Sequence, residues 1–334
     1  MIMQIAVSPY HMTTKEPAAM ASLLLAERVV TILPTPEVGM TPAAMRDAVT
    51  RAPKYARFME SWAWSMPLWR NGLVCSSVDD DDAASDVRAI SDRIERDEAF
   101  APLRAFVRAG WFDEPGKFLD VVASDLLKGG PDPAISTTLA AGLDRFAARH
   151  RLVVARSEAN SVAQRAEARL GRPLFAFGVP LLSEAEAGRV LHIREELAST
   201  LSRLRESVAE AVDGLGHGES PSRRLIDCAH DAAAEFTEDF DGRWDEFEQD
   251  GRDDDLRLRR CTATIVAMAL PSDAVLRSSA IAVKALTPRL GKVRGQVALS
   301  EPVTTLPAVF DAADGREVVS LVVKVIGSKH GRRR

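Results

Sequence analysis

The sequence predicts a helix-rich α/β protein: a small, mainly parallel or mixed sheet with a helical insertion and a long antiparallel helical hairpin. Three observations carry this expectation. Short apolar runs without polar alternation, such as Ile5-Ala6-Val7 and Val29-Val30-Thr31-Ile32-Leu33, read as buried strands. Between them, Met20, Leu23 and Leu24 share one helical face, giving a β-α-β opening. From Ser183 to Asp250, apolar residues recur at alternating three- and four-residue steps, the spacing of a helix seam.

Taken in order, the first strand is followed by Ser8-Pro9-Tyr10-His11-Met12-Thr13-Thr14. Thr13 stands three residues ahead of Glu16, as in a capping box, with Pro17 tolerated in the first helical turn. Pro34-Thr35-Pro36 closes the second strand. Residues 41–150 read as a helical subdomain. Thr41-Pro42 opens it, and Asp79 to Asp82 forms a solvated break before a helix carrying Val87, Ile90 and Ile94. Further helices are expected over 102–108, 116–127 and 133–150, with Pro131-Asp132-Pro133 as a turn.

A second β-α-β unit follows: Leu152-Val153-Val154-Ala155, a helix from Asn160 to Leu170, then Leu174-Phe175-Ala176-Phe177. Strands over 262–270 and 318–326 complete an α/β core drawn from residues 1–40, 151–182 and 256–327. The hairpin spans 183–250. Val190, Ile193, Leu197, Leu201, Leu204, Val208 and Ala211 line one helix, with Ser183 and Glu186 as its capping box. Leu225, Ala229, Ala232, Phe236, Phe240 and Phe247 line the other. Each helix is expected to hold about 27 residues, roughly 40 Å. Gly214 to Gly218 makes the turn, and residues 328–334 form a basic tail.

Composition bounds the function. With 46% apolar and 27% charged residues in 334, the chain has material for a sizeable core. A net charge of −5 gives no footprint for duplex nucleic acid. Thirty-five of the 43 basic residues are arginine, a bias expected of a high-GC, bacterial genome. Cys75, Cys228 and Cys261 form no pair motif and point to a reducing compartment. No basic leader opens the chain and no apolar stretch is long enough for a membrane span, so a cytoplasmic location is expected.

Four groups of residues carry possible chemistry. The loop after the first strand offers Tyr10 and His11 as acid or base, and Thr13 and Thr14 as donors at a helix N-terminus. Helix capping is the competing role for the threonines. Arg156-Ser157-Glu158-Ala159-Asn160 occupies the same place after a later strand. There Arg156 and Asn160 could hold an anion and Glu158 could act as a base, against a purely capping role. Trp62, Trp64 and Trp69 could line an interface or wedge the helical block onto the sheet. His192 with His230-Asp231 resembles the helical His-Asp pattern of the metal-dependent HD phosphohydrolases over three residues. No fourth ligand accompanies them, so neither metal nor cofactor is expected.

Two functions follow as expectations. The first is an intracellular protein-interaction or regulatory protein, pairing with a partner or with itself through Leu197, Leu201 and Leu204 and the tryptophan segment. The second is an enzyme or ligand-binding protein acting on an anionic small molecule at the carboxyl ends of the N-terminal strands. It requires the two β-α units to be neighbours in one parallel sheet.

Overall fold

The computed structural model describes residues 3–32, 60–101, 103, 136–157, 162–213, 221–249, 259–290 and 317–328. Its element order is β1 (Gln4–Val7), α1 (Pro9–Thr13), α2 (Pro17–Leu25), β2 (Arg28–Val30), α3 (Met66–Arg70), β3 (Val74–Cys75), β4 (Ser77–Val78), β5 (Asp81–Asp82), α4 (Ala84–Arg96), α5 (Ser136–His150), β6 (Val153–Ser157), α6 (Val162–Leu170), β7 (Arg172–Ser183), α7 (Ala187–Glu196), α8 (Ala198–Asp213), α9 (Arg223–Gly242), α10 (Trp244–Gln249), β8 (Arg259–Pro271), α11 (Ala274–Leu290) and β9 (Glu317–Ser328).

Seven strands form one mixed sheet in the order β3-β2-β1-β6-β9-β8-β7. From β3 to β9 every neighbouring pair is parallel, whereas β8 runs antiparallel to both β9 and β7. The central strand β1 has no solvated face, which explains its unbroken apolar run: Ile5, Ala6 and Val7 are fully buried. The edge strand β7 behaves otherwise. Phe175, Phe177 and Val179 are buried while Ala176 and Gly178 are exposed, the period-two pattern of a strand covered on one side.

Helices cover both faces. Consecutive residues of β6 mark the two layers, because Arg156 pairs with Asp144 of α5 and Glu167 of α6 while Ser157 meets Ala18 of α2. On the α2 face, eight of that helix's nine residues are buried, as expected of an element apolar all round. The residues after α2 turn straight into β2 with no C-terminal glycine. Two arginines supply the missing donors: Arg194 Nη1 bonds the carbonyls of Leu23, Leu24 and Ala26, and Arg205 bonds those of Leu24 and Leu25. On the other face α4 crosses α5 at Gly142, where an added Cβ would stand 2.5 Å from Val87 Cγ2.

The seam residues Val190, Ile193, Leu197, Leu201, Leu204, Val208 and Ala211 are buried, as are Ala229, Ala232, Phe236, Phe240 and Phe247. Glu196, Thr200 and Arg203 meet Arg243, Asp239 and Glu235 in reverse order. The expected continuous helices are each divided, at Leu197 between α7 and α8 and at Arg243 between α9 and α10. The expected turn at 214–218 lies outside the described residues, as do the expected helices over 102–108 and 116–127, the Thr41-Pro42 start, the Pro131-Asp132-Pro133 turn and the tail from residue 329.

Several local expectations are corrected. Neither capping box forms: α2 has Glu16 as its N-cap and α7 has Glu186, with no side-chain cap bond at either. A separate short helix, α1, takes up the threonines instead, and Ser183 ends β7. The second β-α-β unit does not pair its strands, since three places separate β6 from β7 in the sheet. The block at 41–150 is not purely helical, because it supplies β3 to the sheet. Asp79 to Asp82 is solvated as expected, with Asp79, Asp80 and Asp82 exposed, but it is a hairpin rather than a plain break. Ser77 and Val78 pair with Asp82 and Asp81 across a turn with Asp79 at φ 51° and Asp80 at φ 62°. Two successive positive φ values mark a type I′ hairpin, which aspartate tolerates better than most residues.

Candidate functional site

Strand order decides where a site can form. From β1 the chain proceeds through α2 to β2 on one side, and from β6 it proceeds through α6 toward the opposite edge. The order therefore reverses between β1 and β6, which are parallel neighbours through Ile5–Val153, Ala6–Val154 and Val7–Ala155. Outside the carboxyl ends of two such strands the departing chains diverge and leave a crevice. The loop carrying Tyr10 and His11 follows β1 there, and Arg156 and Ser157 end β6 there.

On the β1 side, Pro9 starts α1 immediately after the strand. The hydroxyls of Thr13 and Thr14 both donate to the carbonyl of Tyr10, at 2.9 and 3.0 Å. They close the end of α1 rather than open α2, so their expected role as donors at the α2 N-terminus is replaced. Lys15, at φ 51°, reverses the chain into Glu16 and Pro17. Its ammonium is taken by Glu186 at 2.5 Å and lies over the Trp64 ring.

His11 stands edge-on to Tyr10, with ring centroids 5.7 Å apart. Among the described residues its buried Nδ1 has no hydrogen-bond partner. Burial first, and the positive charge of Arg156 second, push its pKa down to about 4. At neutral pH His11 is thus an uncharged imidazole.

On the β6 side, Arg156 is committed within the protein. Nη2 reaches Asp144 at 2.6 Å, Nη1 reaches Glu167 at 2.7 Å and Nε donates to Ser320 at 3.1 Å. Two carboxylates share one guanidinium, and burial pushes both acids above the ordinary carboxylate range. Ser157 turns the other way, donating to Glu16 at 3.3 Å and accepting from the Ala18 amide at 3.4 Å. These contacts hold the start of α2 over the end of β6. Glu158 and Asn160 lie outside the described residues.

Beyond the neighbouring strand β2, Thr31 is 1% exposed and its hydroxyl has no partner among the described residues. Sequence reading missed Thr31, Asp144 and Glu167, and gave Glu16 only a capping role. A signal existed for Asp144, which stands between the buried Leu143 and Ala147 of one helix. Thr31 reads in sequence as one more β-branched strand residue.

The remaining candidates are placed elsewhere. Leu197, Leu201 and Leu204 are wholly inside the chain and have no surface to offer a partner, which corrects their assignment as interaction residues. Trp62 is 4% exposed and packs on Trp69, while Trp64 and Trp69 lie partly buried against the core. Trp69 Nε1 donates to Ser65, whose hydroxyl donates to the Trp62 carbonyl. His230 Nε2 contacts the Ala176 carbonyl at 2.6 Å, and His192 stands edge-on to Phe247. Among the described residues no three His, Cys, Asp or Glu side chains gather as a metal set.

No family model, curated protein or solved structure matches this chain. Among the described residues no helix is long and apolar enough to cross a membrane.

Proposed function

We propose that this protein binds a small molecule at the carboxyl ends of β1 and β6, in the position where α/β enzymes hold substrates, with His11 as its contact. The carrying observation is the pairing of β1 with β6 at the reversal of strand order, with a buried, unpartnered imidazole nitrogen one turn beyond β1. A buried donor or acceptor left unpaired costs about 1–3 kcal/mol, and a ligand that bonds it removes that cost. Tyr10 is the second side chain in reach of such a ligand by its place beside His11.

Arg156 takes a different part from the one first expected. Its charge is matched by Asp144 and Glu167, so it anchors the floor of the crevice and does not contact an anion. The interaction reading loses its main support, because the seam it relied on is buried within one chain. Three free cysteines fit action in a reducing compartment such as the cytoplasm.

The test is a thermal-shift screen of small metabolites against the whole protein and His11→Ala. Compounds that stabilise the wild type and fail on the variant support the site. If every stabilising compound acts equally on both, the site is elsewhere.

A further inference from the structure

We propose that the outer edge of β7 is a strand-pairing surface for a second copy of this chain, and that His230 holds it closed. β7 ends the sheet. It pairs with β8 from Arg172 to Ser183 and, among the described residues, with no strand on its other side. The opposite end of the sheet is β3, which has only two residues. A long free edge is a row of unpaired backbone donors and acceptors, and folds shield such rows with prolines, charges or covering elements.

Prolines shield the two ends of this edge. Pro173 and Pro180 flank Leu174-Phe175-Ala176-Phe177-Gly178-Val179, a six-residue apolar window with no charge. Backbone groups alternate between the two edges of an antiparallel strand. The Leu181 carbonyl accepts from Cys261 Sγ of β8, so the odd-numbered residues face β8 while Ala176, Gly178 and Pro180 face outward. Proline at 180 therefore removes no bond to β8. At the middle of the window, the outward carbonyl of Ala176 accepts from His230 Nε2 of α9 at 2.6 Å. A carbonyl cannot donate, so Nε2 carries the proton. This one bond occupies the centre of the stretch that an added strand would use.

The window is suited to its own copy. Ala176 and Gly178 are exposed, and a Cβ added at Gly178 would meet only the Ala263 carbonyl, at 3.9 Å. Turned through a two-fold axis, the uncharged window meets an identical one in antiparallel register, with the prolines of both copies beyond its ends.

The experiment is sedimentation velocity of the full chain over a range of concentrations, for wild type, His230→Ala, Gly178→Lys and the double variant. Alanine is the best helix former and His230 is exposed, so His230→Ala keeps α9. Lysine fits at 178 and brings like charges together across the pairing. The mass of His230→Ala is expected to rise with concentration toward twice that of wild type, and the double variant is expected to return to the wild-type value. If His230→Ala sediments as wild type at every concentration, the inference is overturned. Association undiminished in the double variant overturns it too, because the contact then lies elsewhere. A wild-type mass that falls on Gly178→Lys alone also overturns it, since the edge is then already paired and His230 does not close it.

Discussion

Arg156 Nη2 lies 2.6 Å from Asp144 Oδ2, and the same guanidinium reaches Glu167 through Nη1. One strand is thereby tied to two helices that follow it and precede it in sequence. The three side chains are between 2% and 16% exposed, so water screens their charges little. Removing the arginine leaves two buried carboxylates facing each other without a cation. Arg156→Ala is expected to destabilise the protein by about 3–5 kcal/mol, measured by denaturant unfolding. A loss below 1 kcal/mol would show that the cluster relaxes into solvent.

The acids of this cluster set one arm of the pH dependence. Burial raises the folded-state pKa of Asp144 and Glu167 above their unfolded values. Their contribution to stability is full below the ordinary carboxylate range and is lost as pH rises through the raised values. Asp144→Asn removes one of the two titrations, and its stability is expected to fall less than wild type over that rise. Parallel curves for the two proteins would refute this.

His11 sets the opposite arm. Its folded pKa is lowered from 6.5 to about 4, so its contribution is present above pH 6.5 and lost as pH falls toward 4. The shift corresponds to roughly 3 kcal/mol, at about 1.4 kcal/mol per unit. Urea midpoints of wild type and His11→Phe, compared at pH 7 and pH 4.5, measure it. The phenylalanine variant is expected to lose less stability on acidification than wild type.

Close packing of α4 on α5 leaves no room at Gly142. Gly142→Ala would place a methyl 2.5 Å from Val87 Cγ2 and 2.9 Å from its Cα. Because the second neighbour is backbone, a rotamer change cannot absorb it. A loss of about 1–3 kcal/mol is expected. Adding Val87→Ala should recover only part of it, as seen in the thermal midpoint.

The two arginines at the end of α2 share the Leu24 carbonyl. Arg194→Ala leaves the Leu23 and Ala26 carbonyls without this donor and is expected to cost about 1–3 kcal/mol. Burial and the neighbouring Arg205 charge lower the Arg194 pKa to about 9. Removing one arginine therefore relieves the other. The Arg194→Ala/Arg205→Ala double variant should lose more than the sum of the single losses, because the relief of repulsion counts in each single loss but only once in the double; a double-mutant cycle measures this directly.

The local devices of this chain were legible where a single element explains a residue. Ile5 to Val7 and Val153 to Ala155 are buried strands because parallel strands are covered on both faces, and their composition states this directly. The seam from Val190 to Ala211 is legible because helical spacing puts those residues on one side. The same pattern cannot tell whether the covering surface belongs to this chain or to another, and here Leu197, Leu201 and Leu204 are covered from within. The capping box at Thr13 failed because the one-turn helix α1 brings the Tyr10 carbonyl to its hydroxyl.

The candidate site shows the same division. Sequence alone determined that Tyr10 and His11 follow a buried strand; it set Arg156 just after another, which the structure extends through Ser157. Only the tertiary structure decided that these strands are neighbours, since residues 5 and 153 meet through a sheet pairing that no local pattern encodes. It also decided that Arg156 is matched by Asp144 and Glu167, and that His11 and Thr31 keep polar atoms without a partner among the described residues. Propensity and periodicity act over a few residues, whereas strand order, burial and charge pairing are set by contacts between distant parts of the chain.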